Sequence, residues 1–141
     1  MAISRNLAKL AKAGKLKAEP GDQKEFDYLL RSAGRRLVDS RRRALSIESR
    51  FDLACNAAHS LALCALRWHG YRSENRYLVF QCVEHTLGLG PDVWRVLALC
   101  HERRNVFEYK GEFEIDETLF ADLLRAAEIL LEKVAALGPV Q

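Results

Sequence analysis

The chain has 141 residues, of which 49% are hydrophobic and 29% charged, with a formal net charge of +3. These values are typical of one ordinary globular domain, and no stretch approaches the roughly 18 apolar residues of a membrane span. The N-terminus is basic but has no apolar core segment or small-residue cleavage site, so we expect no secretion signal and a cytoplasmic protein.

The charge is unevenly distributed along the chain. Residues 1–44 hold 12 Lys and Arg against 5 Asp and Glu, whereas residues 45–141 hold 10 against 14. A basic arm on a mildly acidic body indicates contact with nucleic acid or another acidic partner. Solvated helix faces that aid solubility would explain the same surplus equally well.

The four cysteines are widely spaced, and no Cys-x-x-Cys pair occurs. Each lies within an apolar helical pattern, whereas a metal site or a disulfide would need closer spacing or a secreted protein. We therefore expect reduced core residues, and we predict neither a metal site nor a cofactor. The residues are Cys55, Cys64, Cys82 and Cys100.

The chain divides into three parts. Residues 1–21 are predicted to form a basic N-terminal tail or short docking helix, which Pro20-Gly21 ends. Residues 22–137 form the helical domain, and residues 138–141 a C-terminal tail. Capping residues and apolar spacing predict five helices over about residues 23–44, 47–69, 73–87, 91–109 and 117–137. Short connections and the lack of an alternating strand run indicate an all-α antiparallel bundle of four to five helices.

One segment carries polar residues where a helix facing the core should be apolar. The helix over 91–109 is apolar on its inward face and then becomes polar at His101, Arg104 and Asn105. Buried groups of this kind are costly unless paired, so they predict an ion-pair network, a cleft or a contact with another copy. Arginine's planar fork suits phosphate. The candidate nucleotide- or phosphate-binding residues are His101, Arg103, Arg104 and Asn105.

The chain has two long early helices, small residues along the second of them and an Arg-Asn step near the end of the penultimate helix. In these features it resembles the HEPN superfamily (higher eukaryotes and prokaryotes nucleotide-binding). The resemblance covers about residues 22–137 and implies an up-and-down bundle that forms a homodimer. Many members of that family are metal-independent ribonucleases. Others accompany a nucleotidyltransferase-type partner, sometimes as a toxin–antitoxin pair.

The family signature is an arginine, a polar neighbour and a histidine four to six positions after the arginine. Arg104 matches the arginine and Asn105 the neighbour, but the histidine position holds Tyr109. An unperturbed tyrosine titrates near 10, so it is a poor general base at neutral pH. The catalytic set that the resemblance implies, Arg104, Asn105 and Tyr109, therefore favours phosphate recognition over catalysis. His101, one helical turn before Arg104, is a second stand-in for the histidine.

These observations leave three hypotheses. The leading one is a HEPN-like nucleotide- or RNA-interacting protein, non-catalytic or weakly catalytic, partnered with a nucleotidyltransferase or an antitoxin. The alternative is a toxin-type endoribonuclease that uses Arg104 with Tyr109 or His101. The third is a structural or adaptor dimer, in which Arg103 and Arg104 only pair with glutamates across helices.

Two further groups have a structural and a functional interpretation. His59 lies mid-helix among apolar residues, where a hydrogen-bonded core histidine is expected more often than a functional one. Arg67 to Arg72 forms an aromatic–basic cluster, for which we prefer a cation–π contact at a helix end over nucleic-acid stacking.

Overall fold

The structure is a computed structural model that describes residues 2–110 and 114–141, with side chains over 5–106 and 114–141. The elements in chain order are α1 (Ala2–Lys12), β1 (Lys17–Ala18), α2 (Gln23–Ser40), α3 (Ile47–Trp68), β2 (Tyr71–Arg72), α4 (Arg76–Gln81), α5 (Val83–Thr86), α6 (Pro91–Lys110) and α7 (Glu117–Ala135). The all-α prediction is confirmed.

Helix α3 is the centre of the bundle. It packs against α2, α7, α6, α4 and α5, so it is enclosed on most sides. Small residues on α3 permit this close packing, because short side chains let neighbouring helix backbones approach. The buried small residues are Ala54, Cys55, Ala57, Ala58, Ala62, Cys64 and Ala65.

Three predicted helix starts are confirmed by their capping contacts. The Asp22 side chain accepts a hydrogen bond from the Lys24 amide, Ser46 accepts from Ser49, and Asp116 accepts from Thr118. Each contact satisfies one of the amides that a helix leaves without an internal partner at its N-terminus. Local sequence therefore fixes where α2, α3 and α7 begin.

Two predicted helices differ from the structure. Helix α2 ends at Ser40 and not at residue 44, because the Ser40 carbonyl accepts a hydrogen bond from Arg50 Nε at 2.8 Å and the chain turns there. The helix predicted over 73–87 is two short helices, α4 capped by Asn75 and α5, with a turn at Cys82. That turn lets α4 pack against α6 while α5 packs against α1.

Both ends of the chain pack on the bundle. Leu7 of α1 is fully buried and joins the same core as the bundle helices. The short antiparallel pairing of β1 with β2 was not predicted; it sets Lys17 opposite Arg72. At the other end, Trp68 Nε1 donates to the Gly138 carbonyl at 3.2 Å.

Next to this pairing lies a cluster of two arginines and two glutamates, which we call the clasp: Arg67, Arg72, Glu19 and Glu25. Arg67 Nε lies 2.6 Å from Glu25, and Arg72 Nε lies 2.8 Å from Glu19. Burial opposes ionisation of Glu25, but hydrogen bonds from Arg72 and Arg67 outweigh it and lower the pKa of that carboxyl. The preferred cation–π interpretation of residues 67–72 is wrong, because both arginines form ion pairs and the cation–π contacts of the described residues involve Arg50 and Arg95 instead.

All four cysteines are buried and free of disulfides, as predicted. Burial raises the pKa of Cys82 to about 11 and the pKa values of Cys64 and Cys100 to about 12. Burial also raises the pKa of Cys55. The thiols are therefore protonated at neutral pH and behave as small apolar side chains. Separately, no helix in the described part of the chain is long and apolar enough to cross a membrane.

Candidate functional site

A groove of about 470 Å³ lies on the outer side of α4 and α6, and we call it the α4–α6 groove. Its aromatic wall comes from Tyr77 of α4 and Trp94 of α6, whose ring centroids are 6.4 Å apart with an edge-to-face angle of 87°. The guanidinium carbon of Arg95 lies 5.6 Å from the centroid of the Trp94 ring. The groove therefore presents two aromatic rings and a cation together, an arrangement stabilised by the ring quadrupole.

The polar end of the groove is formed by two of the predicted site residues and by Glu102. His101 and Asn105 both line it, and they lie four residues apart on one face of α6. Asn105 Nδ2 is 3.3 Å from His101 Nε2. The His101 ring also packs against Phe80 of α4, with 6.1 Å between centroids. Packing and a side-chain contact therefore hold these two groups at the groove wall.

Arg104 points to a different neighbour, the N-terminal half of α3. Its Nε lies 2.6 Å from Asp52 Oδ1, and the two side chains are 19% and 49% exposed. Asp52 also accepts a hydrogen bond from Asn56 Nδ2 at 3.2 Å, and Asn56 Oδ1 accepts one from Arg76 Nη1 at 3.3 Å. We call Asp52, Asn56, Arg76 and Arg104 the polar network. It joins α3, α4 and α6 and contains an ion pair, one of the three outcomes predicted from the sequence.

His59 lies one helical turn beyond Asn56 and is mostly buried. Its ring meets Phe80 edge-on at 6.0 Å, so Phe80 contacts both His59 and His101. Burial, and then the charge of Arg76, lowers the pKa of His59 to about 4, so the ring is neutral at pH 7. The prediction that His59 is a hydrogen-bonded core histidine is wrong in one respect. Among the described residues, no group hydrogen-bonds the buried Nε2 atom.

The predicted site residues are thus divided between two surfaces. His101 and Asn105 lie together in the groove, Arg104 lies in the polar network, and Arg103 is exposed outside the groove lining. The side chain of Tyr109 lies outside the described residues, so the predicted set of Arg104, Asn105 and Tyr109 stays a prediction.

Several residues of the site were not singled out from the sequence. Asp52 and Asn56 are four residues apart on one face of α3, which His59, already considered from the sequence, continues three residues later. Such a polar stripe on an otherwise apolar helix is the signal that would have identified them. The groove residues Tyr77 and Arg95 gave no comparable signal, because only the packing of α4 on α6 brings them together.

Within the described part of the chain, no group of three or more His, Cys, Asp and Glu side chains is arranged to bind a metal ion. No family model matches the chain, and comparisons with curated proteins and with solved structures find no match. The fold and the site together define an all-α bundle protein with an aromatic and polar groove beside a partly buried polar network.

Proposed function

We propose that this protein is a HEPN-like RNA- or nucleotide-binding protein, non-catalytic or weakly catalytic, which binds its ligand in the α4–α6 groove. The observation that carries the proposal is the composition of that groove. Two aromatic rings, the Arg95 guanidinium and the His101–Asn105 pair line one depression of about 470 Å³, and the Glu102 carboxylate is the one acidic group among the described residues that line it. That volume is within the range of small-molecule sites.

Each part of the groove matches a part of a nucleotide. The exposed Tyr77 ring and its neighbour Trp94 offer a surface for a base, and stacking on an aromatic side chain contributes about 1–3 kcal/mol per base. Arg95 offers a forked donor for a phosphate oxygen. Asn105 supplies both a donor and an acceptor, which suits the edge of a base. An unpaired base with its phosphate is the ligand that uses all of these groups.

Binding is better supported than catalysis. A general acid or base works best with a pKa near the operating pH, whereas His59, with a pKa of about 4, is a neutral imidazole at pH 7 and cannot act as a general acid there. Arg104 already pairs with the Asp52 carboxylate. A phosphate would have to compete with that carboxylate for the guanidinium, so strong activation of a phosphate by Arg104 is not favoured.

The proposal includes a homodimer and a protein partner of nucleotidyltransferase or antitoxin type. Both the homodimer and the protein partner rest on the HEPN resemblance alone.

Tryptophan fluorescence tests the proposal, because the chain has only two tryptophans. A Trp68→Phe background leaves Trp94 as the reporter inside the groove. Titration with a single-stranded RNA of about 12 nucleotides should quench Trp94, and raising the salt from about 50 to 200 mM should weaken binding. Arg95→Ala and Asn105→Ala should each lower affinity by about fivefold or more.

The matched control is Arg125→Ala, which removes an exposed arginine from α7, where it pairs with Asp122. It should leave affinity within about twofold of the parent. The proposal fails if RNA and free nucleotides leave Trp94 fluorescence unchanged at low salt. It fails equally if the Arg95 and Arg125 variants lose the same affinity.

A purely structural role is the second candidate, and the Arg104–Asp52 ion pair favours it. In that case Arg104→Ala and Asp52→Ala should lower the free energy of unfolding, with a coupling energy of about 1 kcal/mol in a double-mutant cycle. Neither variant should alter RNA affinity. A loss of RNA affinity in Arg104→Ala beyond that of Asp52→Ala would instead place Arg104 at the ligand.

The endoribonuclease alternative has a direct test. Wild type and Arg104→Ala are incubated with total RNA in the presence of a chelator. Cleavage by wild type that Arg104→Ala abolishes would establish the enzyme, and equal absence of cleavage would eliminate it.

A further inference from the structure

Helix α2 carries two opposite stripes. The inner stripe, which includes Phe26, Ala33 and Leu37, is buried in the core against α3 and α7. The outer stripe recurs at steps of four and three residues, the spacing of a coiled-coil seam. Its members on α2 are Lys24, Tyr28, Arg31, Arg35 and Val38, and Arg42 follows just beyond the helix end. All of them are exposed.

Two members of the outer stripe are large and apolar, and a small residue lies beside the stripe. Tyr28 is 59% and Val38 62% exposed, the highest values among the large hydrophobic residues of the described chain. Gly34 lies between them, beside a depression of about 430 Å³. Apart from the backbone of its own helix, no described atom lies within 4 Å of the position that a Cβ would take at Gly34. A second helix could approach α2 closely at this point, as small residues at helix crossings allow.

The charge on the stripe has one sign. Among the described residues, neither Arg31 nor Arg35 is ion-paired, whereas Arg42 lies 3.4 Å from Asp39 and Arg41 lies 2.7 Å from Glu128. Arg31 and Arg35 are one turn apart, and both line the depression beside Gly34, where the acidic Asp39 pairs with Arg42. A partner that approaches at Gly34 therefore meets two cations that form no ion pair among the described residues.

We propose that the outer stripe of α2 docks an acidic amphipathic helix of a partner protein. Val38 and Tyr28 would contact the apolar seam of that helix, and its flanking carboxylates would pair with Arg31 and Arg35. RNA would make no apolar contact with the Val38 side chain. A second copy of α2 on the same face would place arginine side chains next to arginine side chains of the same charge. The inference goes beyond the proposed function, since α2 packs on α3 and α7 whereas the groove lies on α4 and α6.

Fluorescence anisotropy with the full chain tests the inference. The probe is a labelled synthetic peptide of three heptads, with leucine at a and d and glutamate at e and g, where like charges disfavour pairing with itself. The comparison peptide has lysine at e and g. We expect the glutamate peptide to bind at least about tenfold more tightly than the lysine peptide at low salt, and this preference to shrink as salt rises.

Two variants locate the binding surface. Arg31→Glu/Arg35→Glu should lower affinity for the glutamate peptide at least about tenfold, while the matched charge reversal Arg125→Glu/Lys133→Glu on α7 should change it about twofold or less. Gly34→Leu should lower affinity about fivefold or more without lowering the unfolding midpoint, because a Cβ at this position meets open space in the free protein and leucine favours the helix more than glycine does.

The inference is overturned if the two peptides bind alike, if the two charge reversals have equal effects, or if Gly34→Leu binds as tightly as the parent. Displacement of the peptide by the RNA of about 12 nucleotides would assign the stripe to nucleic acid. Self-association that Arg31→Glu/Arg35→Glu abolishes in sedimentation would assign it to a second copy. Either result also overturns the inference.

Discussion

Arg67 is the buried member of the clasp, and replacing it should cost far more stability than replacing Arg72. The Arg67 side chain is 3% exposed and that of Arg72 is 32% exposed, although both pair with Glu19 and Glu25. Arg67 also donates to the backbone carbonyls of Glu19 and Pro20, each at 2.7 Å. Of these two kinds of contact, Arg72 makes only the ion pairs with Glu19 and Glu25. The two arginines therefore differ in burial and in the backbone groups that depend on them.

The expected magnitudes follow from that difference. Arg67→Met keeps most of the apolar stem but leaves two carbonyls and part of a carboxylate without a donor. Breaking a buried ion pair in this way lowers the free energy of unfolding by about 3–5 kcal/mol. About 1–3 kcal/mol of that loss comes from leaving a buried acceptor without a hydrogen bond. Arg72→Met removes a partly exposed pair that water and salt already screen, so we expect a cost of about 1 kcal/mol.

Urea denaturation followed by circular dichroism at pH 7 measures both costs. Arg67→Lys provides a milder change if Arg67→Met does not fold, because it keeps the charge and loses the fork. It should lower the free energy of unfolding by more than Arg72→Met does. Equal losses for Arg67 and Arg72 substitutions would refute the argument that burial and the carbonyl contacts make the clasp depend on Arg67.

Three further predictions concern pH, the outer stripe and the thiols. Burial lowers the pKa of His59 from 6.5 in the unfolded chain to about 4 in the folded protein. The free energy of unfolding is therefore fully present above pH 6.5 and falls as the pH drops towards 4, by about 2 kcal/mol at pH 5. His59→Gln should lose that pH dependence in urea denaturation, and retention of the full pH dependence would contradict the assignment. Gly34→Ala should raise the free energy of unfolding by about 0.5–1 kcal/mol, and a lowered thermal midpoint would show that the stripe is not open. The four buried thiols should react with a disulfide reagent at pH 8 far more slowly in the native than in the urea-unfolded protein, and equal rates would contradict their burial.

Local signals predicted the long helices well, since their starts depend on neighbouring residues. Ser46 and Asp116 cap α3 and α7 within three residues of themselves. The end of α2 depends instead on Arg50, ten residues later, which donates to the Ser40 carbonyl. The turn at Cys82 likewise lies where α4 and α5 pack against different helices. Contacts between distant segments of this kind leave no local pattern.

The site divides in the same manner. The change from apolar to polar residues along α6 correctly predicted that the end of this helix has polar partners. It also placed His101 and Asn105 on one face. It did not reveal that Arg104 turns to Asp52, because the partner is 52 positions away in the chain. Arg67 was misjudged for the same reason, since Glu25 and the carbonyls it binds belong to a distant segment.

Photo-crosslinking shows whether RNA binds in the α4–α6 groove. A 4-thiouridine RNA of about 12 nucleotides is irradiated with the full chain at low salt, and the modified peptides are mapped by mass spectrometry. We expect crosslinks within residues 76–81 and 94–105, reduced in Arg95→Ala. Crosslinks confined to the arginine-rich residues 31–43, or no crosslink above that of a protein without RNA affinity, would contradict it.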